Sequence, residues 1–294
     1  MTHLVIIAGG LVLGYVLLSL LCAYIAQQYP RRPVVDPPDW GQVTDARIPA
    51  PGGGTLEVWR VAPEGPVRGT VVLAHGWGRN RDRMVHRARH FGRLGFAAVM
   101  HSARDHGGSS PRRCMNAVKM AEDIEAVLAW LGEPVLLYGH SAGAAAAVVA
   151  AHRNPDAVRL LFLEACYAET EEALLSLYRW FNRFFGLVFG PAIVFWMNLA
   201  YGFSLDTVSP ARLAQGIRAP VLILHGERDK RFPLAFAQKL HRSFAPGQSE
   251  LFVAPGAGHS ESSLVPLFPE VLKSLSIQFH GCFSQLNSSP APAA

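Results

Sequence analysis

Val135-Leu136-Leu137-Tyr138-Gly139-His140-Ser141-Ala142-Gly143-Ala144-Ala145-Ala146-Ala147 is the stretch on which the reading of this chain turns. Val135 to Tyr138 is a short apolar run of the kind that forms a buried strand. From Ala142 to Arg153 the composition favours a helix. Between the two, a serine is framed by glycines two residues away on either side. A serine on so tight a strand-to-helix turn takes strained backbone angles, and the positions around it must be tiny. Gly139 and Gly143 meet that need. The same turn aims the helix N-terminus and the Ala142 N–H at an oxygen reacting with Ser141. The pattern Gly139-His140-Ser141-Ala142-Gly143 therefore predicts a nucleophile on a sharp elbow. A glycine-rich structural turn is the competing reading.

Outward from this point the chain alternates between strand-length and helix-length segments. Thr70 to Ala74, Ala97 to His101, Leu160 to Leu163, Val221 to Leu224 and Leu251 to Ala254 read as buried strands. Asp82 to Leu94 and Met115 to Leu131 read as helices, and Arg47-Ile48 with Leu56 to Val61 form a starting hairpin around Gly52-Gly53-Gly54. Such alternation predicts an α/β fold, a mostly parallel sheet flanked by helices. Ligands of such sheets bind beyond the carboxyl ends of the strands, so the chemistry belongs in the loops after these runs.

A serine hydroxyl is a poor nucleophile until a base takes its proton. His259, in Pro255-Gly256-Ala257-Gly258-His259-Ser260 after the last strand, is the candidate base. Asp229, in His225-Gly226-Glu227-Arg228-Asp229, is the candidate acid that would fix the tautomer of His259. Glu227 is the alternative acid. The chain order Ser, Asp, His is the one expected for an elbow of this type. A second oxyanion donor is expected from His75-Gly76-Trp77-Gly78, through the Trp77 N–H, beside that of Ala142.

These stretches, together with Arg104-Asp105-His106-Gly107-Gly108-Ser109, resemble the α/β-hydrolase superfamily from about residue 45 to 280. Within it the chain is most similar to the monoglyceride-lipase and serine-aminopeptidase-like group. The resemblance implies an α/β-hydrolase fold with a substrate-covering helical cap, placed at about 167–217. Relatives commonly read D-x-R-G-H-G-x-S where this chain has Ser102-Ala103-Arg104-Asp105-His106-Gly107-Gly108-Ser109. A serine nucleophile separates the chain from the dehalogenase and epoxide-hydrolase branches, which use Asp there.

Leu4 to Ala26 contains no charged residue, and at ~1.5 Å per residue makes a helix of roughly 34 Å, enough to cross a ~30 Å hydrocarbon core. The leader Met1-Thr2-His3 lacks a basic n-region and no A-x-A site follows, so a retained anchor is expected over a cleaved signal peptide. Arg31 and Arg32 follow the helix and no Lys or Arg precedes it, which places the catalytic part in the cytoplasm. Gly10 and Gly14 have the spacing of a helix-pairing motif and leave homo-oligomers open. The expected organisation is an anchor at 1–27, a Pro-rich linker at 28–44, the hydrolase domain at 45–283 and a disordered tail at 284–294.

Half of the residues are hydrophobic, 17% are charged, and the net charge is +5. That excludes a disordered chain, and without a dense Lys/Arg run nucleic acid is not an expected partner. The mild positive charge suits anionic lipid headgroups. The four cysteines form no CxxC pair, and no dinucleotide or phosphate-binding motif is present, so no cofactor is expected. His86 and His90 are four apart, but Arg83, Arg87 and Arg89 surround them; surface histidines, with no metal site, are expected. The aromatics between Leu174 and Phe203 suit a cap over acyl chains or aromatic esters. The expected activity is hydrolysis of lipid-like or acyl esters or thioesters through an acyl-enzyme. An aminopeptidase or amidase is the first alternative, with Glu169, Glu171 and Glu172 binding an ammonium if they do not merely serve a helix start. A non-catalytic lipid-binding or scaffold protein is the second.

Overall fold

The computed structural model describes residues 1–28 and 31–278. Helix α1 (Thr2–Ile25) comes first, followed by the strands β1 (Gln42–Pro49), β2 (Thr55–Ala62) and β3 (Gly69–Ala74). Helix α2 (Val85–Arg93) and strand β4 (Phe96–His101) precede α3 (Ala117–Leu131), β5 (Val135–His140), α4 (Ala142–Arg153) and β6 (Val158–Glu164). Four helices follow: α5 (Thr170–Phe181), α6 (Arg183–Val188), α7 (Gly190–Ala200) and α8 (Pro210–Leu213). The chain then returns through β7 (Val221–Gly226), α9 (Leu234–Ser243), β8 (Ser249–Ala254) and α10 (Leu267–Gln278).

The eight strands form one sheet in the order β1-β2-β4-β3-β5-β6-β7-β8. β1, β2 and β4 pair antiparallel, and every pairing from β4 to β8 is parallel. β3 has β4 on one side and β5 on the other, so the strand order reverses there and opens a crevice at the carboxyl edge. Alternate residues feed two cores. Val72 and Ala74 of β3 face a layer with α3 and α4, while Val71 and Leu73 face Met84, Phe91 and Phe268. Strands buried on both faces read as continuous apolar runs, which is why the sequence shows them so plainly.

Local chemistry sets the helix ends. Asn116 caps α3 by accepting the Lys119 N–H at 2.9 Å, and Gly132 closes it in the left-handed region at φ 65°. The segment expected as one helix from Asp82 opens with a 3-10 turn, Arg81–Met84, because the Asn80 side chain accepts the Asp82 N–H.

The described residues refine three expectations. The stretch expected as a linker has no regular structure from 31 to 41 but is held to the domain: the Asn80 amide donates to the carbonyls of Arg32 and Pro33, Arg31 pairs with Asp105, and Val34 and Trp40 pack on the Met84/Phe91 layer. The sheet begins at Gln42, ahead of the expected boundary at 45. His86 is exposed, as expected, while His90 is half-buried, its ring meeting Phe268 edge-on at 5.2 Å. Residues 284–294, expected as a disordered tail, lie outside the described residues.

α1 is apolar on every side and almost wholly exposed, with only Ser19 and Ala23 buried. Among the described residues it is the one helix long and apolar enough to cross a membrane, a property a signal sequence shares. Gly10 and Gly14 are exposed, with open space around both.

Candidate active site

Ser141 stands between β5 and α4 with φ 56° and ψ −121°, a left-handed backbone that a serine rarely adopts. Two close approaches enforce the turn. A Cβ at Gly139 would lie 2.4 Å from the Cα of Ala144, and one at Gly143 would lie 2.4 Å from the carbonyl oxygen of His75. The Ser141 N–H donates to the Glu164 carbonyl at 2.9 Å, pinning the elbow to the end of β6.

The loops after β7 and β8 bring two more side chains to Ser141. His259 Nε2 lies 2.9 Å from Ser141 Oγ, and His259 Nδ1 lies 2.7 Å from Asp229 Oδ2. The other Asp229 oxygen accepts the N–H groups of Arg231 at 2.8 Å and Phe232 at 3.0 Å. Burial works against the Asp229 charge, yet the hydrogen bonds from His259 and Phe232 and the facing His259 hold its carboxyl below the ordinary value. With Asp229 ionised, Nδ1 of His259 carries the proton and Nε2 is left to accept from the serine. Phe232 meets the His259 ring edge-on at 5.1 Å and closes one side of the base. Glu227, the alternative acid, is exposed and accepts the Gly256 N–H instead.

The Trp77 loop faces the elbow, since a Cβ at Gly76 would lie 3.3 Å from the Ser141 Cβ. Among the described residues, neither the Trp77 N–H nor the Ala142 N–H takes a hydrogen-bond partner. Two buried histidines hold this loop. His106 Nε2 accepts the Gly78 N–H at 3.2 Å, with Nδ1 donating to Arg104 O. His75 Nε2 accepts the Ala103 N–H at 3.0 Å, with Nδ1 donating to Gly76 O. Both are therefore neutral, and burial lowers both from their usual value. The Trp77 indole packs on the core and meets His106 edge-on, so the side chain is structural while the backbone faces the site.

A buried ion pair that the sequence reading missed lies directly behind the elbow. Arg87 grips Glu164 with two hydrogen bonds, at 2.6 and 3.0 Å, and the Tyr138 hydroxyl donates to the same carboxylate at 2.5 Å. Burial would raise the Glu164 carboxyl, but Arg87 holds it at about 2. Arg87 is thus an internal counter-charge and not part of a cationic surface around His86. A charged residue closing the apolar run Leu160 to Leu163 was the available signal. His140 is pushed down to about 3 by burial, and its Nε2–H donates to the His259 carbonyl at 3.2 Å.

In the loop Ser102 to Ser109, Asp105 takes φ 63° where relatives carry glycine. Ser102, at the position of their Asp, donates to Glu57 at 2.6 Å, and Glu57 pairs with Arg81. Glu169 and Glu172 pair with Lys239, and Glu171 accepts from Asn198, so all three cap carboxylates have partners within the chain. Among the described residues no cluster of side chains fits a metal ion.

The sheet, the elbow after β5 and the flanking helices define an α/β-hydrolase fold. Residues 65–198 match the family model for serine aminopeptidase, S33. The chain is 26% identical to the AB hydrolase superfamily protein YisY of Bacillus subtilis, over 64% of this chain and 84% of that one. It is 23% identical to a monoacylglycerol lipase of Mycolicibacterium smegmatis, over 69% of this chain and 84% of the relative. Among solved structures, a Pyrococcus furiosus esterase superposes with a TM-score of 0.64 at 18% identity, covering 85% of this chain and 98% of its own. That last likeness speaks for the fold, and the family match with the curated relatives supports a hydrolase.

Proposed function

We propose that the chain is a membrane-held serine hydrolase that cleaves carboxylic esters of lipid-like or acyl type through an acyl-enzyme. The observation that carries this reading is the unbroken line Ser141 Oγ, His259 Nε2, His259 Nδ1, Asp229 Oδ2, with separations of 2.9 and 2.7 Å. His259 takes the serine proton as Ser141 attacks the ester carbonyl, then gives it to the departing alkoxide. Water enters by the same route in reverse and frees the acid and Ser141. The Trp77 and Ala142 N–H groups receive the negative oxygen of each tetrahedral intermediate. Asp229 keeps the base in the reactive tautomer. α1 supports membrane attachment, and Arg31 with Arg32 supports a cytoplasmic catalytic part.

The test is a fluorophosphonate probe on detergent-solubilised protein beside a Ser141→Ala control, followed by an ester chain-length series. Labelling of the wild type alone is the expected outcome; no labelling of folded protein would overturn the reading. Intact mass of the same preparation checks that Met1 to Ala26 is retained.

The serine aminopeptidase match favours a second reading, turnover of aminoacyl amides. It needs a free carboxylate for the substrate ammonium, and the Lys239 pairs occupy Glu169 and Glu172. Amide turnover exceeding ester turnover would establish it.

A further inference from the structure

The aromatic stretch between Leu174 and Phe203 does not simply cover the serine. Much of it packs against α1. The Tyr15 hydroxyl donates to Val188 O at 2.7 Å, and its ring stacks on Phe189 at 5.3 Å. The Trp196 indole N–H donates to Ser19 Oγ at 2.8 Å, and the Tyr201 hydroxyl donates to the Gln27 side chain. Ala23 is buried with Tyr178, Ile193, Val194 and Met197. Positions 15, 19 and 23 share one face of α1, and Gln27 follows in the turn after it. They meet α7 in rising order, so the two helices run side by side in the same direction.

This registry has a consequence for depth. Tyr15 to Ile25 spans about 15 Å along α1, half of a ~30 Å hydrocarbon core. If α1 crosses a bilayer over its apolar length, α7 lies beside its inner half and the turn Val188–Gly190 reaches deepest. The outward face of α6 and α7 fits that position. Phe184 is 75% exposed, Leu187 55% and Phe195 49%. No charged residue occurs from Phe184 to Phe203. The first cations met on leaving the hairpin, Arg179 and Arg183, are exposed at the α5–α6 junction, where long side chains can reach headgroups. The chain leaving α1 is tied to the segment between β4 and α3, through Gln28 to Cys114 and through Arg31 to Asp105.

We propose that the α6–α7 hairpin is inserted in one leaflet of the bilayer, clamped to α1 by Tyr15, Ser19 and Gln27, so that the site takes acyl esters resident in that leaflet. This rests on the reading of α1 as a membrane span. The occupant of the exposed face is phospholipid, because the helix that bears it packs on α1, whose remaining surface is exposed and apolar.

The test uses full-length protein in sealed vesicles, domain outward, with the four native cysteines replaced and fluorophosphonate reactivity as the check of folding. A single cysteine at Leu187 carries an environment-sensitive fluorophore, one at Arg242 serves as control, and one at Thr2 reports the span. The expected result is quenching at Leu187 by lipids nitroxide-labelled on the acyl chain, with no quenching by aqueous iodide. Arg242 behaves oppositely, and Thr2 reacts with an impermeant maleimide only after detergent. Iodide quenching at Leu187 with Thr2 protected would overturn the insertion while leaving the span intact. Thr2 labelled without detergent would overturn the span and the insertion with it. Independently, Leu187→Asp with Phe184→Asp lowers turnover of a vesicle-borne lipid ester at least about tenfold and leaves a short water-soluble ester unchanged. Equal loss on both esters, or none on either, would count against the proposal.

Discussion

At Asp229 one carboxylate oxygen serves the loop and the other serves His259, so an amide in its place changes the chemistry without changing the volume. Asp229→Asn presents an N–H to a ring nitrogen that must itself carry the proton, and the imidazole is pushed into the wrong tautomer. The expected outcome is a fall in kcat of about 10³- to 10⁴-fold with little change in KM, measured on a short ester. A variant within tenfold of wild type would show that Asp229 is not the acid. Glu164→Gln acts differently. It leaves Arg87 buried without its counter-charge, a loss of about 3–5 kcal/mol, read as a lower urea midpoint. Ser141, His259 and Asp229 were legible because each follows an apolar strand and their chain order is constrained. The Glu164–Arg87 pair was not, since its members are 77 positions apart and only the folded sheet makes them neighbours.

The elbow and the strand beside it act as one element. Ala74 O and His75 O both lie within 2.5 Å of where a Cβ at Gly143 would fall, and neither is a flexible side-chain end. Gly143→Ala therefore moves Ser141 away from the Trp77 N–H. A misplacement near 1 Å lowers the rate of fluorophosphonate labelling about 100-fold. Gly65→Ala, with open space around the position and no left-handed φ, is the neutral control. Strands β2 to β8 were legible in the sequence to within two residues at either end, because burial leaves apolar runs, whereas β1, exposed over most of its length, begins five residues before the expected Arg47. The contacts of the linker after α1 were not legible. Proline-rich sequence sets backbone shape, while the Asn80 and Asp105 contacts that fix it come from distant loops. The stretch was legible as apolar and aromatic, but not the side on which those aromatics are used, because α7 packs on both α1 and α5 while Phe184, Leu187 and Phe195 are exposed.

Across the whole molecule, buried histidines set the response to acid. Burial lowers His101 from 6.5 to about 4, His140 to about 3 and His75 well below 6.5. Between about 6.5 and those values the unfolded chain binds protons that the folded chain refuses, so stability falls as pH is lowered through that window. Glu164, held at about 2, adds stability that is present above its unfolded value and is lost only as pH falls further, toward 2. The two effects therefore follow one another, histidines first. Urea midpoints in detergent should decline steadily from pH 7 to pH 5, the range in which Glu164 stays ionised in both states. His101 ends β4 with its ring 6.4 Å from that of His75 and no hydrogen-bond partner for Nδ1 among the described residues, and its replacement removes one contribution. His101→Asn should flatten the slope by up to about 1.4 kcal/mol per pH unit. A wild-type midpoint that did not move between pH 7 and pH 5 would mean that these imidazoles find water or proton partners in the folded protein, and that the core around the catalytic loops is less dry than its packing indicates.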